Sequence, residues 1–86
     1  MKTTDKQLLL HLEELIDRLG YELRYDELPA DGGIAKYRGK KAFIINKALP
    51  VGDKIQVMCD GLRELDMGDM HVLPIVRKAI FGDDWQ

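Results

Sequence analysis

The chain has 86 residues, 45% hydrophobic and 33% charged, which suits one small folded core and is too short to divide into two. Thirteen basic against fifteen acidic residues leave a net charge of -2, so no global field draws the protein to nucleic acid or anionic lipid, and any such role needs a local basic patch. The single cysteine, Cys59, has no partner for an internal disulfide. No segment approaches the ~20 apolar residues needed to cross a bilayer, and Glu13 and Glu14 interrupt any signal-like run, so a cytoplasmic protein is expected.

Leu8, Leu12, Leu15, Ile16 and Leu19 recur at steps of three and four, with charged residues between them, which predicts an amphipathic helix from about Asp5 to Leu19. Thr4 and Gln7 fit a capping box, and Gly20 can turn left-handed after the last apolar position. Leu9 and Leu10 widen the stripe, which suggests cover on more than one side, by the domain or by a second copy. The period then changes to two: Tyr21, Leu23 and Tyr25 alternate with Glu22, Arg24 and Asp26, a half-buried strand.

The Pro- and Gly-rich stretch from Glu27 to Gly33 reads as a loop. A second strand is expected over Ile34 to Arg38, a tight turn at Gly39-Lys40 and a third strand over Lys41 to Asn46, the last two forming an antiparallel hairpin. The continuous run Ala42-Phe43-Ile44-Ile45 suits a central strand with both faces at least partly covered. Pro50 can occupy the first turn of the next helix, where Val51, Ile55, Met58, Leu62 and Leu65 make a narrow apolar stripe that contains Gly61. Asp66 to Asp69 ends that helix, His71 to Leu73 is extended, and Pro74 opens a short helix closed by Gly82. The fold expected is α+β in the order α-β-β-β-α-α. Two longer helices cover one face of a three-stranded sheet and the short C-terminal helix closes an end, with one domain over 1–82 and a tail over 83–86. An antiparallel meander is the favoured strand arrangement, and the alternative sets the first strand parallel to the third.

This order, with its glycine loop, Ile45-Asn46, Leu49-Pro50 and a helix bearing Glu64, resembles the N-terminal half of ImmA/IrrE-type metallopeptidases over about Leu15 to Met67. In that family HExxH places two zinc-binding histidines one turn apart around a water-activating glutamate. The matching residues are Arg63-Glu64-Leu65-Asp66-Met67, where only Glu64 fits: arginine is a permanent cation and a thioether is a poor zinc ligand. The resemblance therefore implies a peptidase-like core without its zinc motif. The chain is also similar to short uncharacterised bacterial proteins that share the GG, IN, LP and P-x-V-R landmarks, a likeness that implies no activity.

The remaining chemistry-bearing residues divide between functional and structural readings. His11 and His71 are far apart in the chain and, with Cys59, offer no metal-ligand spacing, so no metal or cofactor is expected. His71 beside Asp69 has the elements of a general base without an evident nucleophile or pocket. Cys59, one residue from the stripe, reads as a packed, inert thiol rather than a nucleophile served by His71. Gly32-Gly33 precedes a strand rather than a helix and is no phosphate cradle.

Lys36, Tyr37, Arg38, Lys40, Lys41 and Lys47 put basic charge and a possible stacking ring around the hairpin, with Lys36 and Arg38 expected on one face. The patch either contacts nucleic acid or solvates an edge strand, and the second reading is favoured. Met58, Met67, Met70 and Trp85 either fill gaps in a small core or form an adaptable interaction surface. The leading functional expectation is a non-enzymatic domain acting through a protein partner or a homodimer. A weak nucleic-acid binder using the basic hairpin comes second, and a degenerate, inactive peptidase-like domain third.

Overall fold

The computed structural model describes residues 3–68 and 70–82, with Tyr37 described in its backbone only. The elements follow the order α1 (Asp5–Arg18), β1 (Glu22–Asp26), β2 (Gly32–Tyr37), β3 (Lys40–Asn46), α2 (Val51–Arg63) and α3 (Pro74–Phe81). The fold is the expected α+β arrangement. Asp69, the tail over 83–86 and Trp85 within it lie outside the described residues.

The capping box forms: the Gln7 N–H donates to Thr4 Oγ1 at 3.2 Å and the Thr4 N–H to Gln7 Oε1 at 2.9 Å, satisfying two N–H groups that the first turn would leave without partners. Pro50 proves to be the N-cap of α2 rather than a residue of its first turn. That helix also stops earlier than its stripe predicts. Glu64 is the C-cap, and the N–H of Leu65 bonds to the carbonyl of Leu62 at 3.1 Å, so Leu65 still packs on the core after the helix has ended. Asp66 Oδ1 then accepts the Gly68 N–H at 2.8 Å, a local side-chain turn that competes with helix.

The three strands lie in the order β1-β3-β2, with β1 parallel and β2 antiparallel to β3. The sheet is therefore mixed, and the favoured meander is replaced by its alternative. The loop between β1 and β2 crosses the end of β3 and is pinned there. The Asn46 N–H donates to the Asp31 carbonyl at 2.9 Å, that of Lys47 to the Asp26 carbonyl at 3.0 Å, and Asn46 Nδ2 to the Leu28 carbonyl at 3.3 Å. β3 is central, as its apolar run indicates.

The hairpin turn also differs by one residue from expectation. Tyr37 pairs with Lys40, so the turn residues are Arg38 and Gly39, at φ 50° and 78°. Two consecutive positive φ values match the turn whose twist suits a two-residue hairpin, and they take Arg38 out of the strand.

One hydrophobic cluster joins the layers: Leu12, Leu15 and Ile16 of α1, Phe43 and Ile45 of β3, Met58, Cys59 and Leu62 of α2, and Val72, Val76 and Ile80 around α3. α1 packs beside α2 and over β1, α2 lies over β2 and β3, and α3 rests on α2 and α1. The approach of α2 to the sheet depends on Gly61. A Cβ there would stand 2.6 Å from Cε2 of the fully buried Phe43 and 3.2 Å from Cγ1 of Ile34. Gly61→Ala is expected to destabilise the protein despite alanine's ~1 kcal/mol advantage in a helix interior, because overpacking a tight core costs about 1–3 kcal/mol. Urea unfolding measures the balance, and a more stable variant would refute the close approach.

Candidate functional site

The sequence-derived candidates separate once they are placed on the fold. Met58 is fully buried, with its side chain packed in the core cluster. Met67 and Met70 are half-buried against the same cluster. Arg63, at the last position of α2, donates through Nε to the Ile80 carbonyl at 2.8 Å and through Nη1 to Asp60 Oδ1 at 3.1 Å. It ties α2 to the end of α3, where a cation also complements the helix dipole. Met67 lies beyond the helix altogether, so positions 63 and 67 do not share a helical face as two zinc ligands would. Among the described residues no three His, Cys, Asp or Glu side chains group as a metal site requires.

Cys59 is 2% exposed, and burial pushes its thiol up to about 11, with the Arg63 charge opposing and the Asp60 charge reinforcing the shift. It is absent from the residues that line the cleft around His71, so no thiol–imidazole pair forms. That cleft, of about 290 Å³, is lined by both His71 and His11, together with Glu14, Leu15, Arg18, Val72, Leu73 and Val76. Sequence spacing gave no sign that the two histidines line one cleft. Asp69, the other member of the general-base reading, lies outside the described residues.

The basic hairpin does not form one face. In register, Lys36 stands opposite Lys41 and Ile34 opposite Phe43, which places Lys36 and Lys41 on the sheet face that carries the helices. Lys40, paired with Tyr37, lies on the other face. Arg38 is in the turn and shares no strand face with Lys36. Lys41 Nζ sits 5.8 Å from the centroid of the Tyr21 ring, and Lys47, at the far end of β3, pairs with Glu27 at 3.5 Å. The Tyr37 side chain, the proposed stacking ring, lies outside what is described.

A different surface is organised. β2 is an edge strand. Because the Asn46 N–H bonds to the Asp31 carbonyl, alternation along the ladder turns the polar backbone groups of residues 33, 35 and 37 toward β3 and those of Ile34 and Lys36 outward. Beside this edge a cleft of about 320 Å³ runs between Asp31, Gly32, Gly33 and Ile34 on one side and Val57, Asp60 and Gly61 of α2 with its C-cap Glu64 on the other. Gly32 belongs to the strand rather than to the loop. At φ 123°, with Ile44 O 2.1 Å from where a Cβ would be, it admits no side chain. Ile34 is 37% exposed on the helix-facing side. Asp60 is engaged by Arg63 and by Gln56 Nε2 at 2.8 Å, whereas Asp31 and Glu64 form no ion pair among the described residues.

Comparison of the chain with protein-family models, with curated proteins and with solved structures finds no match. No described helix is long and apolar enough to cross a membrane.

Two chemical consequences are measurable. Cys59 is expected to resist a thiol reagent at neutral pH in the native protein and to react once unfolded, so its rate follows unfolding; immediate native-state labelling would contradict its burial. Across the helix layer, the Tyr25 hydroxyl donates to the Glu13 carboxylate while Lys54 Nζ lies 5.3 Å from the Tyr25 ring centroid. Burial, then the hydrogen bond to Glu13 and the charge of Glu13, raise the Tyr25 phenol well above its ordinary value. The protonated phenol is thus favoured by folding. Its stabilising contribution is complete below the unfolded-state value of about 10 and is lost as the pH rises further. Melting temperature should fall with pH above that value, and fall less in Tyr25→Phe; identical slopes would rule out the coupling.

Proposed function

We propose that this chain is a non-enzymatic interaction domain whose working surface is the free edge of β2, where an extended segment adds as a further strand. The observation that supports the reading is the outward-facing backbone of Ile34 and Lys36 beside the Asp31–Glu64 cleft. In strand addition, main-chain hydrogen bonds supply affinity, and pockets beside the edge select alternate side chains. Here α2 supplies such a pocket. Its carboxylates favour lysine or arginine at alternate positions of the incoming strand, and Ile34 offers an apolar contact between them.

Dispersal of the basic residues over two faces and the turn gives the nucleic-acid reading less support than strand addition. A peptidase-like origin, on the resemblance over about Leu15 to Met67, fits this reading as a scaffold that lacks the zinc motif at Arg63 to Met67.

Amide hydrogen exchange tests the surface directly. In dilute protein the amides of Ile34 and Lys36 should exchange quickly and those of Gly33 and Ala35 slowly. A short synthetic peptide alternating lysine and valine should protect Ile34 and Lys36. Ile34→Pro, which removes one outward donor without removing a bond to β3, should abolish that protection, whereas Ile34→Ala should only weaken it. Protection that develops elsewhere, or that survives in Ile34→Pro, would eliminate the strand-addition surface.

A further inference from the structure

We infer that the strand received by this edge is β2 of a second copy, running antiparallel across a two-fold axis at Ile34. The inference rests on the strand-addition reading and names its occupant. Placing the axis at Ile34 pairs that residue with the partner's Ile34 and sets Lys36 against the partner's Gly32, so outward backbone groups meet outward backbone groups along the overlap. Identical strands paired this way form a closed, isologous dimer with one continuous six-stranded sheet, twice the three strands of each copy.

The side chains agree with this register. Lys36 lies on the helix-facing side of the sheet and arrives over the partner's Gly32, where no side chain can stand, at the cleft holding the partner's Asp31 and Glu64. Both charges gain from the meeting. Within one copy Lys36 is directly opposite Lys41, a like-charge cross-strand pair that is unfavourable by itself. Asp60, in the last turn of α2, and Glu64, its C-cap, are like charges four residues apart, only the first of which has Arg63 beside it. A basic segment from another protein would satisfy the acidic cleft and leave Lys36 and Lys41 unrelieved. A second antiparallel copy satisfies both ends at once and covers the exposed face of Ile34 twice.

Sedimentation equilibrium of the full chain should show a monomer–dimer equilibrium that weakens with salt. The doubly substituted chains Lys36→Glu/Lys41→Glu and Asp31→Lys/Glu64→Lys should each lose dimer affinity by roughly a hundredfold or more, through like charges brought together. Mixing the two should restore a heterodimer. All four positions are exposed, and circular dichroism with thermal unfolding verifies that each variant folds.

As an independent measurement, Ile34→Cys should form a disulfide-linked dimer on mild oxidation. Hydrogen-bonded antiparallel neighbours lie ~5.5 Å apart at Cα, within disulfide reach, and buried Cys59 does not compete. A protein that stays monomeric yet protects Ile34 and Lys36 on binding the lysine–valine peptide would overturn the second copy and sustain the edge as a surface. A dimer that tolerates both charge reversals, or that mixing fails to restore, would also overturn it. Monomers that bind no peptide would remove both readings.

Discussion

The contact between Phe43 and Gly61 sets the spacing of the two layers. Phe43 sits on the central strand, is fully buried, and packs in a T-shaped pair with the Tyr21 ring at 5.4 Å between centroids. α2 can descend onto it only where a residue has no side chain. Dispersion falls away within an ångström of radial gap, so this approach is what allows Met58, Cys59 and Leu62 to close on β3 as one cluster. Its effect reaches the surface as well. A helix held low over β2 and β3 brings its next polar face, Asp60 and Glu64, down beside the strand edge, and the cleft there is a product of core packing.

The ends of α2 show how a small protein holds such a helix without an internal disulfide. Arg63 serves two elements at once, closing the end of α3 through the Ile80 carbonyl and neutralising Asp60 on its own helix. At the opposite side, Glu13 of α1, Tyr25 of β1 and Lys54 of α2 meet through one hydrogen bond and one cation–ring contact. These polar links cross elements whose apolar faces are already packed. Each is partly exposed, so each contributes orientation more than net energy. Arg63 thereby acts as a structural cation at the junction of α2 and α3.

Local features were legible in the sequence wherever a side chain's chemistry acts on its own backbone. Thr4 and Gln7 announce their helix, Gly82 ends another, and the alternation from Tyr21 to Tyr25 marks the buried face of β1. Strand order was misjudged, although the sequence holds a sign of it. A meander would make β2 central, yet β2 carries Gly32, Gly33 and Lys36 while β3 carries Ala42-Phe43-Ile44-Ile45, and the strand with the unbroken apolar run is the one flanked on both sides. Periodicity gives faces, and neighbours must be inferred from which strand can bear to lose water on both. The turn was misplaced because Arg38 adopts a positive φ that only its pairing context imposes. The candidate edge was hidden for a similar reason: Asp31 and Glu64 are distant in sequence and meet only after α2 has settled onto Phe43.

An unpaired edge is ordinarily a hazard, and natural sheets blunt such edges with charge, brevity or cover. β2 is short and carries Lys36, but its charges are arranged and not merely present: acid lies at the Asp31 end and base at the Lys36–Lys41 end. That polarity makes the outcome of pairing depend on direction. A parallel second copy would bring acid to acid and base to base, whereas an antiparallel one brings each to its opposite. The same arrangement limits growth, because an antiparallel pair uses both copies of the edge and leaves no outward β2 backbone to template a third chain. The charge pattern that protects the strand from indiscriminate pairing would, in the proposed dimer, also select one partner and stop at it.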